Sequence, residues 1–135
     1  MNRRTARRKA LEGLFQVDVG KLDPHEVFQT LLPEAGEEDP FLHDLYFGTI
    51  AHMKEIDELI AAHLNHWTLE RLANVDRNIM RLAVFELKYM DDIPPSVSIN
   101  EAVEIAKIYG DGQSPKFING VLSKVKEVIE GKDRS

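Results

Sequence analysis

The stretch Asp76-Arg77-Asn78-Ile79-Met80-Arg81-Leu82-Ala83-Val84-Phe85-Glu86-Leu87 decides the fold. Its apolar residues Ile79, Met80, Leu82, Ala83, Val84, Phe85 and Leu87 cover most faces of a helix instead of one stripe. A helix of this kind has to be surrounded by other elements, so the segment predicts an all-α domain wrapped around it. Asp76 reads as its N-cap. Asp91-Asp92-Ile93-Pro94-Pro95 ends it in a loop.

Working back towards the start, Ala6, Ala10, Leu14 and Val17 recur at helical spacing, with Leu11 and Phe15 on the adjacent stripe, and Gly20 stops that helix. Asp23-Pro24-His25-Glu26 combines a cap, a proline at the first helical position and an acid three residues after the cap. A short helix through Val27, Phe28, Leu31 and Leu32 follows, up to Pro33. Residues 34–39 read as an acidic loop. Asp39-Pro40 opens a long helix whose apolar face runs from Leu42 to Leu64, and Gly48 either bends it or permits close packing. Asn65-His66-Trp67-Thr68 breaks it, and a short turn covers residues 69–72.

Beyond the central helix, Ser98-Ile99-Asn100-Glu101 has the form of a capping box opening a helix that Gly110 closes. Ser114-Pro115 opens the last helix, through Phe117, Ile118, Val121, Leu122, Val125 and Ile129, with Gly131 as its end. The expectation is about six to seven helices and no strand. They form a single domain over residues 1–135, with two small sub-bundles at roughly 1–66 and 67–135.

Charge is unevenly placed. The formal net charge is −6, yet residues 1–9 (MNRRTARRK) carry +5 and no acid. The remaining residues therefore carry −11. Positive charge at a helix start opposes the macrodipole by ~0.3–1 kcal/mol per charge, and local preferences are broken most often where function requires it. The arginines are therefore expected to face an anion such as phosphate. The absence of cysteine removes disulfide, thiolate and Cys-zinc chemistry. No apolar run approaches the ~20 residues that span a bilayer, and no signal-peptide core is present, so a cytoplasmic location is expected.

Catalysis finds little support. His63 and His66 are spaced to present two metal ligands, but only Glu70 is a conceivable third. Asp91-Asp92 and Glu37-Glu38-Asp39 read as solvated loops. Gly110-Asp111-Gly112 precedes a helix but lacks the preceding strand and the Lys-Ser/Thr ending of a P-loop. The reading is of a non-enzyme without metal or cofactor. The same loop fits binding better: Gln113, Ser114, Lys116 and Phe117 put amide, hydroxyl, ammonium and aromatic groups at one helix start. Helix-end amides and a lysine suit phosphate, and an exposed aromatic can stack a base. Phe117 equally reads as the first core residue of that helix.

Four blocks in order resemble the NusB family of bacterial transcription antitermination factors. They are Arg3-Arg4-x-Ala6-Arg7 with Ala10-Leu11-x-x-Leu14-Phe15-Gln16, then the 74–87 block, then Ile93-Pro94-x-x-Val97-Ser98-Ile99-Asn100-Glu101-Ala102 and its continuation, and finally Ser114-Pro115-Lys116-Phe117-Ile118-Asn119-Gly120-Val121-Leu122. The match is weakest over residues 20–40. The resemblance implies two small helical bundles, binding to single-stranded boxA RNA of nascent ribosomal transcripts together with NusE, and assembly with RNA polymerase, NusA and NusG. By position it implies RNA contacts at Arg3, Arg4, Arg7, Gln113, Lys116 and Phe117, and a NusE-facing surface with Phe15 and Asp76. Gln113 stands where many members carry an acid, and Phe15 replaces a frequent tyrosine. The family includes monomers and dimers. Two rivals stand beside this reading. One is an RNA-docking accessory domain like that fused to RNA cytosine methyltransferases, which a chain of 135 residues without a methyltransferase region disfavours. The other is a protein-only helical scaffold.

Overall fold

A computed structural model describes residues 1–34 and 37–134, with side chains 132–134 left out of the description. Among these residues there are seven α-helices, one 3-10 turn and no strand. The helices are α1 (Arg3–Asp18), α2 (Pro24–Leu31), α3 (Pro40–Ala51), α4 (Met53–Ala61), α5 (Asn74–Tyr89), α6 (Pro95–Tyr109) and α7 (Ser114–Arg134), with the 3-10 turn at Leu69–Arg71. Ala35 and Gly36 of the acidic loop lie outside the described residues.

Helix α5 is the axis. Every residue from Asp76 to Glu86 is buried, and α1, α3, α4, α6 and α7 all pack on it. A single apolar cluster reaches from Ala6 of α1 through Ile60 of α4 to Val125 of α7. Arg77, Asn78, Arg81 and Glu86 of α5 survive burial because earlier helices supply partners, as buried polar groups require. Arg77 donates to Asp18 at 2.7 Å, and Arg81 donates to both oxygens of Asp57 at 2.7 and 2.9 Å. Asn78 also donates to Asp18. Burial raises the Asp18 carboxyl, but hydrogen bonds from Arg77 and Asn78 and the charges of Arg81 and Arg77 bring it below the ordinary range.

Glycines set two close approaches. A Cβ on Gly13 would lie 2.7 Å from the Tyr46 ring, and one on Gly48 would run into the Phe85 ring. Gly48 thus serves packing of α3 on α5, and the helix does not break there. The expected long helix divides instead at His52, where φ −107° and ψ 18° end α3 and begin α4. His52 stacks on Tyr89 at 4.2 Å between ring centres, so the kink is held by α5. Tyr46 donates to the Pro24 carbonyl and ties α3 to the start of α2, while burial pushes its hydroxyl up to about 12.

Other helix boundaries also differ from expectation, and α4 ends at Ala61, ahead of Leu64. Helix α5 starts at Asn74 with Ala73 as its cap position, so Asp76 lies inside the first turn and is not the N-cap. Helix α6 starts at Pro95, and Ser98 of the apparent capping box is an internal, buried residue. Its hydroxyl donates to Glu86 at 2.8 Å, so a tertiary partner takes the group that a cap would have used. Gly131 does not end α7, which continues to Arg134. The α1 and α2 caps follow local rules: Asn2 accepts from Thr5 N–H, and Asp23 accepts from the His25 and Glu26 amides.

Candidate nucleic-acid interface

The basic start of the chain is itself the first turns of α1, which places its side chains at fixed helical angles. Arg3 and Arg4 point outward and are about half exposed. Arg3 approaches Asp92 at 3.4 Å and lies over the Phe41 ring at 4.7 Å. Arg4 forms a two-bond fork with Glu101 of α6, at 3.1 and 3.0 Å. That fork raises the Arg4 guanidinium above its ordinary value, chiefly through the hydrogen bond to Glu101.

Arg7 faces the other way. It is 5% exposed and forks onto Glu86 at 2.8 Å through both nitrogens. Glu86 also accepts from Ser98, so the three residues form a closed buried set joining α1, α5 and α6. A guanidinium in that position is a strut between helices and has no exposed edge for a phosphate. The expectation of a direct RNA contact at Arg7 therefore gives way to a positioning role: Arg3 and Arg7, four residues apart, share one side of α1, and one turn in from the helix start that side is covered by α5 and α6.

Arg8 takes the vacated outward place. It is exposed, lies over the Tyr109 ring at 5.8 Å and donates to the Tyr109 hydroxyl at 3.2 Å, without a carboxylate partner among the described residues. This contact carries the basic face of α1 to the end of α6, just ahead of the loop holding Gln113. Tyr109, the last residue of α6, is thus the point where the basic start of α1 comes nearest in sequence to the α6–α7 loop.

The α7 start is arranged differently from the sequence expectation. Asp111 Oδ1 accepts from the amides of Gln113 at 2.8 Å and Ser114 at 3.1 Å, and Ser114 Oγ accepts from the Asp111 amide at 3.0 Å. This cap takes up the Gln113 and Ser114 amides internally, so those two are not free to cradle a phosphate. Gly110 is required by the same turn, since a Cβ there would sit 2.5 Å from the Ser114 side chain. What remains outward is Gln113 and Lys116, both exposed, and Phe117, half-buried against the core. Lys116 forms no ion pair among the described residues.

Beside Gln113, Lys116 and Phe117 runs an open groove of about 500 Å³. Its opposite wall is the segment after α4, carrying His63, His66 and the exposed Trp67, and its floor extends along α7 to Lys124. His63 and His66 thus belong to the same wall as Trp67. Among the described residues no group of three His, Asp or Glu side chains is placed to hold a metal ion.

The expected partner-facing residues separate. Phe15 is 40% exposed and forms a largely apolar groove with Leu11, Val75 and Tyr109. Asp76 is buried at 8% exposure, and its Oδ1 has no hydrogen-bond partner. Burial raises its carboxyl above the ordinary range; the Ser114 hydroxyl opposes this and the nearby Asp111 charge adds to it. Asp76 therefore acts where the starts of α5 and α7 meet, behind the surface that Val75 presents.

A model of the NusB family matches residues 4–127. The transcription antitermination protein NusB of Geobacillus kaustophilus is 55% identical over 130 residues, covering 96% of this chain and 99% of the relative. The chain belongs to the NusB family. The corresponding protein of Bacillus subtilis is 50% identical over 96% of this chain and 98% of its own length. Among solved structures, NusB of T. maritima superposes with a TM-score of 0.86 at 37% identity, covering 94% of this chain and 92% of that one. The antitermination factors NusB and NusE in complex with dsRNA give a TM-score of 0.83 at 31% identity, covering 93% and 96%. The NusB match takes in every proposed contact except Arg3, which lies just before it.

Sequence reasoning missed Tyr109 and the Trp67 wall, and the position-by-position carry-over left out Arg8. Arg8 had a visible signal, since it sits within the basic start. Tyr109 and Trp67 had none beyond being aromatics at a helix end and in a helix break; their pairing with α1 and α7 exists only in three dimensions.

Proposed function

We propose that this chain binds the boxA element of nascent ribosomal RNA together with NusE and so helps assemble a termination-resistant RNA polymerase complex with NusA and NusG in the cytoplasm. The observation that carries this is the outward cationic and aromatic side formed by Arg3, Arg4, Arg8, Gln113, Lys116 and Phe117 in a relative of a protein whose complex with NusE holds RNA. The cations neutralise phosphates, and Phe117 offers a ring edge to a base. Arg7 holds α1 in register against α5 and α6 and sets the direction of its neighbours. Phe15, Val75 and Tyr109 offer NusE an apolar face, with Asp76 supporting the helix end behind it. The role proposed for these groups is binding: they meet phosphate, base and protein partner. Among the described residues no helix is long and apolar enough to cross a membrane.

A titration of labelled boxA RNA against a scrambled strand and a duplex, with and without NusE and at two salt concentrations, tests the reading. Tighter binding to single-stranded boxA, strengthened by NusE and weakened by salt, is the expected result. Equal binding to all three RNAs regardless of NusE would sink it.

A protein-only scaffold is the second reading, and the pairing of Arg3, Arg4 and Arg7 with acids of the same chain favours it. A salt-independent, NusE-only interaction would decide for it. A homodimer closing over the same side would act as a storage form, and RNA affinity would then fall as the protein concentration rises.

A further inference from the structure

The α7 groove extends the RNA-facing side onto residues that the family resemblance does not assign. One face of α7 supplies Lys116, Phe117, Gly120 and Lys124, and the segment between α4 and the 3-10 turn supplies His66 and Trp67. No acid lines this groove, although the chain holds 23 acidic residues. Neither Lys116 nor Lys124 forms an ion pair among the described residues. Trp67 is 57% exposed, and no ring of the described residues stacks on it. A Cβ added at Gly120 would meet no atom within 4 Å, so the floor between Phe117 and Lys124 is bare. An exposed indole and a phenyl ring flanking a bare floor with unpaired ammonium groups on it match the needs of single-stranded nucleic acid. Rings stack bases without regard to identity, and lysines track the backbone. The volume lies within the ~300–1,000 Å³ typical of sites for small organic groups.

We propose that this groove is a stacking subsite for an unpaired RNA nucleotide next to the segment held by Gln113 and Lys116. Trp67 takes the base and Lys124 a flanking phosphate. This rests on the RNA-binding reading above and names an additional part of its surface.

Trp67 is the single tryptophan of the chain, so fluorotryptophan incorporation gives one fluorine resonance that reports on the groove even in the presence of unlabelled NusE. The full chain is titrated with single-stranded boxA RNA, with and without NusE, and binding is followed in parallel by anisotropy of end-labelled RNA. The Trp67 resonance is expected to shift with the same midpoint as the anisotropy. Trp67→Ala should weaken binding about tenfold, and Lys124→Gln should lower the log–log salt slope by about 0.7. Gly120→Leu fills the floor while improving helix propensity by roughly 1 kcal/mol, so it should weaken RNA binding with an unchanged or higher Tm. RNA binding that leaves the Trp67 resonance unmoved, with wild-type affinity in Trp67→Ala and Gly120→Leu, overturns the subsite and leaves the RNA-binding reading intact. A shift produced by NusE without RNA assigns the groove to the protein partner and also overturns it. No RNA binding by any form of the protein, with or without NusE, overturns both.

Discussion

The start of α1 and the start of α7 both present positive side chains to solvent beside aromatic rings, but they hold them differently. On α1 the guanidinium groups have carboxylate partners at Asp92, Glu101 and Glu86, with Arg8 alone meeting a neutral hydroxyl. On α7, Lys116 and Lys124 have none among the described residues, whereas Lys126, outside the groove, pairs with Glu130. The α1 segment holds five positive charges in nine residues, whereas the α7 groove offers only Lys116 and Lys124. Counting charges along the chain therefore overstates the first region and understates the second. A cation already forked onto a carboxylate must exchange that partner for a phosphate, while a solvated ammonium has only water to release.

The most severe way to break this contrast is at Arg7. If Arg7 is a strut, Arg7→Ala leaves Glu86 buried without its counter-charge and should cost about 3–5 kcal/mol of stability. A denaturant melt would show it, and an unchanged midpoint with weakened RNA binding would return Arg7 to the contact surface. Phe117 comes next. Phe117→Leu keeps apolar volume but loses the ring, and RNA affinity should fall about tenfold, with only a small change in Tm. A large loss of Tm with affinity intact would make Phe117 a core residue alone.

The lysine and arginine contributions then separate by salt titration. Lys116→Gln should lower the log–log slope by about 0.7. Glu101→Gln should act in the opposite direction, raising the slope by releasing Arg4 from its fork. If Glu101→Gln leaves the slope where it was, Arg4 does not reach the RNA and the contrast between the two regions is complete.

The smallest effect belongs to Asp76, at the junction behind both partner surfaces. Its carboxyl is raised in the folded chain by burial, so its ionised form weakens the fold at neutral pH. Asp76→Asn should therefore stabilise the protein by about 1 kcal/mol at pH 7. The gain should shrink as pH falls through the raised native value and vanish below the unfolded value of about 3.9, where the wild-type group is protonated in both states. A gain that stays constant with pH would mean that Asp76 is not the titrating group.

Much of the fold was legible in local pattern. The all-round apolar run of α5, the Asp23-Pro24 and Asp39-Pro40 starts and the break near Trp67 each depend on neighbours within a few residues, and each appears where the pattern places it. The failures share a cause. Ser98 looks like a cap because Glu101 follows it at cap spacing, but Glu86 takes its hydroxyl. The Gln113 and Ser114 amides look available to an anion, but Asp111 accepts both. The α3–α4 division has no breaker residue, since its kink is held by His52 stacking on Tyr89 of α5.

The sequence by itself determined the helical class, the central place of α5, the concentration of arginine at the start and the family to which these blocks point. Only the tertiary structure decided which of those arginines are free, which face of α7 lies open and that Trp67 stands across from Lys116 and Lys124. The physical reason is one of range. Helix periodicity and proline placement act over a single turn, whereas the availability of a charge depends on whichever carboxylate the packing brings within about 3–4 Å of it.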